Sequence, residues 1–302
     1  MTDPSACAGD DRRTTMSRGL DHIVHAVRDL DAAADLYRRL GFTVGARNRH
    51  AWGTHNHVVQ LPGFFVELLT VAEPEKLGTD GFSALFGTFN RLFLKQQEGF
   101  SILLLESRNA IADASDFRAA KIGVSDAMRF EREAKRPDGS TVKVGFSLAF
   151  ARDPQAPQIG FAACEQHFPE NFWNPAFQQH ANTVSGVGGV VLVAENPSDH
   201  HIFLSALSGV RDLHATSGGV SAATPRGDIK VMDPAAFRSH FGTAPPDVSA
   251  GARLAALQFR VRDRAALAAA LAAGRITSSS HMGATVIAPE PAMGATLVFE
   301  PE

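Results

Sequence analysis

Two side chains with metal-binding chemistry lie inside apolar runs of the sequence. His22 lies in the run 20–27, and Glu67 lies in the run 64–71, two residues after Phe65. Such runs are typical of buried strands, in which successive side chains point to opposite faces. A carboxylate is costly to bury without a partner, and an imidazole that converges with a carboxylate suits a divalent ion such as Zn, Ni, Mn or Fe. His22 is therefore the best single candidate for a metal ligand.

The elements that position these residues belong to a unit that recurs four times. Each copy reads as an apolar strand followed by a helix and then a glycine. The distance from strand to glycine is closely similar in the four copies, which run from Leu20 to Gly41, Phe100 to Gly123, Val187 to Gly209 and Arg253 to Gly274. Such self-similarity indicates supersecondary units that bury their faces against one another.

After each glycine the sequence indicates further strands, so each copy reads as a βαβββ module. The predicted fold class is α+β, with four modules at 19–72, 99–168, 186–233 and 252–301. The crossover 165–175 is rich in aromatic residues and proline, which predicts a domain boundary shortly after it. The polar segment 1–18 has no apolar core of a secretory signal and is predicted to be a disordered leader.

Composition excludes several classes of partner. The net charge of -3 and the isoelectric point near 6.5 give no reason to expect nucleic acid. No apolar run approaches the roughly 20 residues that span a bilayer. Cys7 and Cys164, the chain's two cysteines, cannot form a disulfide framework, which predicts a cytoplasmic protein.

Four segments resemble the vicinal-oxygen-chelate superfamily, and specifically its glyoxalase-like branch. They are Leu20-Asp21-His22-Ile23-Val24, Gly53-Thr54-His55-Asn56, Phe65-Val66-Glu67-Leu68-Leu69 and the stretch 166–173. The resemblance implies modules paired into half-barrels, each around a cavity. Four modules would then make two glyoxalase-like half-barrel domains, 19–180 and 181–302.

The resemblance also implies a ligand set, because the family takes its metal ligands from the first and fourth strands of each paired module. The first module offers His22 and Glu67. In the second module, Ser101 aligns with His22 and is a poor ligand, whereas Glu165 aligns with Glu67 and His167 follows two residues later. The implied metal site is His22, Glu67 and Glu165 or His167, with Glu67 or Glu165 as the catalytic base.

The rest of the predicted site surrounds a small-molecule substrate. The residues expected to contact that substrate are Asn56, Phe65, Phe161 and Trp173. In the third module the corresponding ligand positions carry Gly189 and Lys230, which cannot hold a cation. The second domain is therefore predicted to lack a metal.

Three functions fit these expectations. The leading one is a metalloenzyme of the lyase or isomerase type, whose ion acts as a Lewis acid. An extradiol-type dioxygenase would need two histidines and one carboxylate, and so would require His167. A non-catalytic binding or resistance protein would use the same cavity without chemistry. The resemblance also allows a homodimer.

Overall fold

The four repeated units are present, and three of their helices begin at a side-chain cap of the same kind. The computed structural model describes residues 17–79, 81–135 and 139–302. The Asp29, Asn109 and Asp263 side chains each accept a hydrogen bond from a backbone N–H two or three residues later. These bonds satisfy donors that the first helical turn leaves free.

The first module comprises β1 (Leu20–Ala26), α1 (Leu30–Arg39), β2 (Asn48–Arg49), β3 (Thr54–Leu61) and β4 (Phe64–Val71). A π-helical turn, Ser83–Thr88, leads into α2 (Phe89–Gln96). The second module comprises β5 (Gly99–Glu106), α3 (Ala110–Ala119), β6 (Met128–Lys135), β7 (Thr141–Ala151) and β8 (Gly160–Gln166). The short helix α4 (Pro169–Phe172) follows.

The third module comprises β9 (Val184–Val193), α5 (His201–Ser208), β10 (His214–Thr216), β11 (Gly219–Ala223) and β12 (Asp228–Met232). Helix α6 (Pro234–Phe241) leads to the fourth module, which comprises β13 (Arg253–Val261), α7 (Arg264–Ala273), β14 (Ser279–His281), β15 (Ala284–Ile287) and β16 (Thr296–Pro301). In the described part of the chain, no helix is both long enough and apolar enough to cross a membrane.

Each pair of modules forms one eight-stranded sheet. The first has the order β2-β3-β4-β1-β5-β8-β7-β6, and the second has the equivalent order β10-β11-β12-β9-β13-β16-β15-β14. In both sheets the two first strands pair antiparallel at the centre, and each pairs in parallel with the last strand of its own module. The predicted α+β fold with two glyoxalase-like domains is therefore confirmed, and the first sheet is a half-barrel.

The two sheets share one hydrophobic core on their helix-covered faces. Ile23 of β1, Leu103 of β5 and Leu257 of β13 belong to a single cluster of buried side chains. Phe42 contacts Phe259 across the boundary, with ring centroids 5.1 Å apart. The other face of each sheet, here called its inner face, has a separate cluster.

The first described residues also belong to this packing. The predicted leader 1–18 lies outside the described residues except for 17 and 18, as does most of the turn predicted at 137–139. Arg18 is buried, and its Nη2 lies 2.5 Å from the carboxylate of Asp113 in α3. Arg18 Nη1 donates to the carbonyl of Leu207 in α5 at 3.0 Å. The end of the predicted disordered leader is therefore ordered, because this cation links the two domains.

Candidate functional site

The inner face of the first sheet encloses a cavity of about 390 Å³. The π-helical turn before α2 and the segment around α4 supply parts of its wall. Its lining includes eight aromatic residues: Trp52, Phe65, Phe82, Phe86, Phe130, Phe146, Phe172 and Phe177. Cavities of this size bind small organic ligands, and a few polar groups among apolar walls fix the ligand's orientation.

His22 is one of these polar groups, and a β-bulge sets its position. The pairing of β1 with β5 shifts between Leu20 and His22, so Asp21 is an extra residue in the strand. The His22 Nδ1 lies 2.5 Å from Asp21 Oδ1, and the imidazole stacks on Phe65 with ring centroids 4.1 Å apart. A carboxylate only accepts, so Nδ1 carries the proton and Nε2 is left as the basic nitrogen.

Asp21 is held by two further groups on the inner face of β8. Gln166 Nε2 donates to Asp21 Oδ2 at 3.0 Å. The Cys164 thiol also hydrogen-bonds to Asp21, and burial together with this carboxylate raises the pKa of Cys164 well above its ordinary value. One ligand atom from each of Asp21, His22 and Cys164 lies within 4.8 Å of the others. The described residues thus contain a group with metal-ligand chemistry, and it differs from the predicted set.

Glu67 is buried on β4, where it pairs with Val24 and faces the same cavity. Asn56 Nδ2 donates to Glu67 Oε1 at 2.5 Å. Burial raises the pKa of Glu67, while the charge of His22 and the bond from Asn56 act in the opposite direction. Burial of this kind favours the protonated form of a carboxyl group, which can then act as a proton donor.

A network of amides and a neutral histidine supports Glu67. The Asn56 amide also donates to His50 Nε2 at 3.5 Å, and its Oδ1 accepts from Asn48 at 3.0 Å. Burial lowers the pKa of His50 to about 3, and the charges of Arg132 and His55 add to this effect. His50 is therefore neutral at physiological pH, and it stacks on Trp52 with ring centroids 4.6 Å apart.

The two edge strands of the half-barrel approach each other at this network. Arg132 of β6 lines the cavity, and its Nη2 donates to Asn48 Oδ1 of β2 at 3.4 Å. The rings of Trp52 and Phe130 add a second contact, with centroids 5.2 Å apart. These contacts close the sheet around the cavity.

Of the four predicted metal ligands, His22 and Glu67 line the cavity, whereas Glu165 and His167 lie away from it. Glu165 shares the helix-covered face of β8 with Phe161 and Ala163, and its Oε2 accepts from the backbone N–H of Ala110 at 2.8 Å. His167 lies beyond the end of β8, where its Nε2 hydrogen-bonds to Ser147 Oγ at 2.7 Å. Neither side chain lines the cavity with His22 and Glu67.

The register of the second module explains this difference. Counting back from the matched caps Asp29 and Asn109, His22 corresponds to Ile102, and Ser101 corresponds to the bulge residue Asp21. Ile102 is apolar, and Ser101 Oγ donates to Asn90 at 2.7 Å. The residue that corresponds to Glu67 is Ala162, because it pairs with Leu104 as Glu67 pairs with Val24. The second module therefore presents no ligand at either position.

The predicted substrate contacts divide in the same way. Asn56 and Phe65 line the cavity. Phe161 does not, because it points to the shared core and packs on Phe203 of α5 with ring centroids 4.7 Å apart. Trp173 stands behind the wall, with its ring 6.0 Å from that of Phe65.

On the second sheet, α6 covers the inner face. Phe237 and Phe241 of α6 are fully buried against Val191 and Val298. At the positions that were predicted to exclude a metal, Lys230 donates to Gln258 at 2.9 Å, and Asp228 pairs with Gly189.

Sequence reasoning missed Asp21, His50, Arg132 and Cys164. Asp21 reaches His22 and Cys164 only because of the bulge, and strand alternation alone would place it on the other face. Arg132 and Phe130 are two residues apart in β6, so strand alternation places both on the same face. Charged residues on an edge strand usually face solvent, however, and this made Arg132 an improbable member of the site. Cys164 and His50 lie in no sequence motif that indicates a functional role.

Comparisons with known proteins agree on the fold. A hypothetical protein from Staphylococcus aureus superposes with a TM-score of 0.66 at 15% identity, covering 94% of this chain and 100% of that one. A triple mutant of 4-hydroxymandelate synthase from Streptomyces coelicolor gives 0.53 at 11% identity, covering 95% and 93%. A 2,2',3-trihydroxybiphenyl 1,2-dioxygenase from Sphingomonas wittichii gives 0.50 at 10% identity, covering 95% and 91%. No curated protein matches the sequence.

The sequence itself matches a family model. That model is described as a glyoxalase-like domain, and it aligns with residues 20–207, which is more than half of the chain. The match extends through the whole first half-barrel and into α5. This protein therefore belongs to the glyoxalase-like domain family.

Proposed function

We propose that this protein is an enzyme that transfers protons on a small, largely aromatic substrate, with His22 as the base. The observation that carries the proposal is the 2.5 Å hydrogen bond between Asp21 and His22 at the wall of an aromatic cavity. A buried carboxylate that fixes the tautomer and orientation of an imidazole is the arrangement that general-base catalysis requires.

The predicted divalent ion does not fit the residues at the family's ligand positions. Of those four positions, two carry Ile102 and Ala162, which have no donor atoms. In the Asp21, His22 and Cys164 group, both Asp21 oxygens already accept hydrogen bonds, one from His22 and one from Gln166. These contacts favour a hydrogen-bonded cluster that orients His22. The dioxygenase alternative also loses support, because His167 lies outside the cavity.

A reaction that suits the remaining groups is enolisation of a carbonyl compound. His22 Nε2 takes a proton from the carbon next to the carbonyl, and Asp21 stabilises the imidazolium that forms. Glu67, whose pKa is raised by burial, donates a proton to the developing oxyanion. In a substrate with a further carbon–carbon double bond next to the enolised carbon, the proton on His22 passes to the far end of the dienol and the hydroxyl proton returns to Glu67, which completes an isomerisation.

The test is solvent deuterium exchange, followed by proton NMR in D2O with phenylacetone and phenylpyruvate as probes. The wild-type protein should accelerate exchange of the C–H next to the carbonyl. His22→Gln should abolish the acceleration, and Asp21→Asn should lower it by about 10²- to 10⁴-fold, the usual contribution of a positioned base. His167→Gln is the matched control and should leave the rate unchanged.

Removal of metal separates this mechanism from the Lewis-acid one. Dialysis against EDTA should leave the exchange rate unchanged, and a loss that zinc or another divalent ion restores would overturn the proposal.

Binding without chemistry is the second candidate function, and the eight aromatic residues around the cavity favour it. The chain's two tryptophans, Trp52 and Trp173, line the cavity or stand just behind its wall, so their fluorescence reports on occupancy. A fluorescence change on ligand addition with no exchange in any probe would support sequestration over catalysis.

A further inference from the structure

Arg132 is the one arginine or lysine among the described residues that line the cavity. It lies on the edge strand β6 and shares the inner face of the sheet with Phe130. Its partner across the strand pair is Val144, which also lines the cavity. The guanidinium is half-buried, and burial lowers its pKa from the ordinary value. Desolvation of this kind is unfavourable unless an anion compensates for it.

The chain itself provides little compensation. Arg132 Nη2 donates to Asn48 Oδ1 and Nη1 donates to the carbonyl of Glu133, both at the long distance of 3.4 Å. Among the residues that the structure describes, no carboxylate lies within 4.0 Å of the guanidinium. The charge of Glu67 acts on Arg132 only from further away.

The acidic groups of the cavity are already committed elsewhere. Glu67 accepts from Asn56, and Asp21 accepts from His22 and Gln166. Arg132 is therefore a cation whose charge no described side chain matches at close range. A guanidinium binds a carboxylate through two parallel, charge-assisted hydrogen bonds, which makes it a specific anion receptor.

We propose that Arg132 is the anion-binding residue of this cavity, and that the ligand is a small aromatic carboxylate. The aromatic walls hold the ring, and Arg132 holds the carboxylate at the edge of the half-barrel. The cavity volume of about 390 Å³ is at the small end of ligand pockets, which suits a single ring with a short acid side chain. This inference rests on the proposed function and assigns a substrate class to the same cavity.

The test compares two probes that differ only in charge, 4-fluorophenylacetate and 4-fluorophenylacetamide, by fluorine NMR. The carboxylate should bind the wild-type protein at least ten-fold more tightly than the amide. Arg132→Gln should remove this preference, and Arg132→Lys should retain part of it. The control is Arg129→Gln on the same strand, because Arg129 is exposed and paired with Glu131. This control should keep the full preference.

Three results would overturn the inference. They are equal binding of the two probes, an unchanged preference in a folded Arg132→Gln protein, and no binding of either probe at millimolar concentration. The comparison of the two probes in the wild-type protein needs no variant, so a folding defect cannot obscure it.

The inference and the proposed function fail separately. If the acid preference is present and no probe exchanges deuterium, the anion site stands and proton transfer does not. If phenylacetone exchanges its protons and no acid preference exists, the enzyme stands and the anion site does not. Asp21→Asn should keep the acid preference while it loses exchange.

Discussion

His25 makes the stability of this protein depend on pH in a way that can be calculated. The side chain is fully buried on the helix-covered face of β1, as the alternation with His22 predicts. Its Nε2 donates to the carbonyl of Met293 at 3.1 Å, and its Nδ1 accepts from the Tyr37 hydroxyl at 3.0 Å. Burial lowers the pKa of His25 to about 4. The folded protein therefore keeps this imidazole neutral.

The sign of the effect follows from the two states. In the unfolded chain a histidine has a pKa of about 6.5, so between pH 6.5 and 4 the unfolded state takes up a proton that the folded state does not. The stability that His25 contributes is complete above pH 6.5 and is lost as the pH falls toward 4. Between pH 7.5 and 4.5 this linkage lowers the free energy of unfolding by about 2.5 kcal/mol.

Urea denaturation followed by circular dichroism at pH 7.5, 6.5, 5.5 and 4.5 measures the loss. His25→Gln keeps a donor and an acceptor but cannot titrate, so its free energy of unfolding should fall by about 2.5 kcal/mol less over this range than that of the wild type. His214→Gln, in the exposed strand β10, is the control and should behave as the wild type. Equal pH dependence in the wild type and His25→Gln would refute the reasoning.

Three further predictions concern the fold and the site. Arg18→Ala should destabilise the protein by about 3–5 kcal/mol, because it leaves the buried Asp113 unpaired; thermal and urea unfolding measure this, and a loss below about 1 kcal/mol would contradict it. Phe237→Ala should cost about 3–5 kcal/mol in the same assay, because it empties the inner face of the second sheet, and the acid preference of the cavity should be unaffected. Asn56→Ala removes a hydrogen bond that lowers the pKa of Glu67, so the pKa of Glu67 should rise further. Carbon NMR of the labelled Glu67 carboxyl measures that pKa, and a fall would show that Asn56 has the opposite effect.

The fold could be predicted from the sequence because its signals are local and repeated. Strand alternation correctly placed His22 and Glu67 on the cavity face and His25 on the helix-covered face. The interval from strand to glycine identified all four modules, although the glycines play different roles: Gly41 and Gly209 adopt a left-handed conformation, whereas Gly274 is helical. Helix α6 was not predicted, and its position on the second sheet depends on long-range packing.

The site was less predictable because strand alternation amplifies small errors. Placing Glu165 on the inner face required a register in which it lies opposite the equivalent of Val24. The actual register differs, so Glu165 faces the helices and Cys164 faces the cavity. A shift of one residue moves every side chain of a strand to the other face. The bulge at Asp21 is a shift of this kind, and no local sequence signal marks it.

The core that joins the two sheets makes each domain depend on the other for the burial of its apolar side chains. The second domain covers apolar side chains of the first: Phe203 packs on Phe161, and Phe259 packs on Phe42. A chain cut near residue 180 would expose these rings to water. The two domains are therefore one folding unit, and a deletion of the second would also remove the apolar cover that stabilises the first.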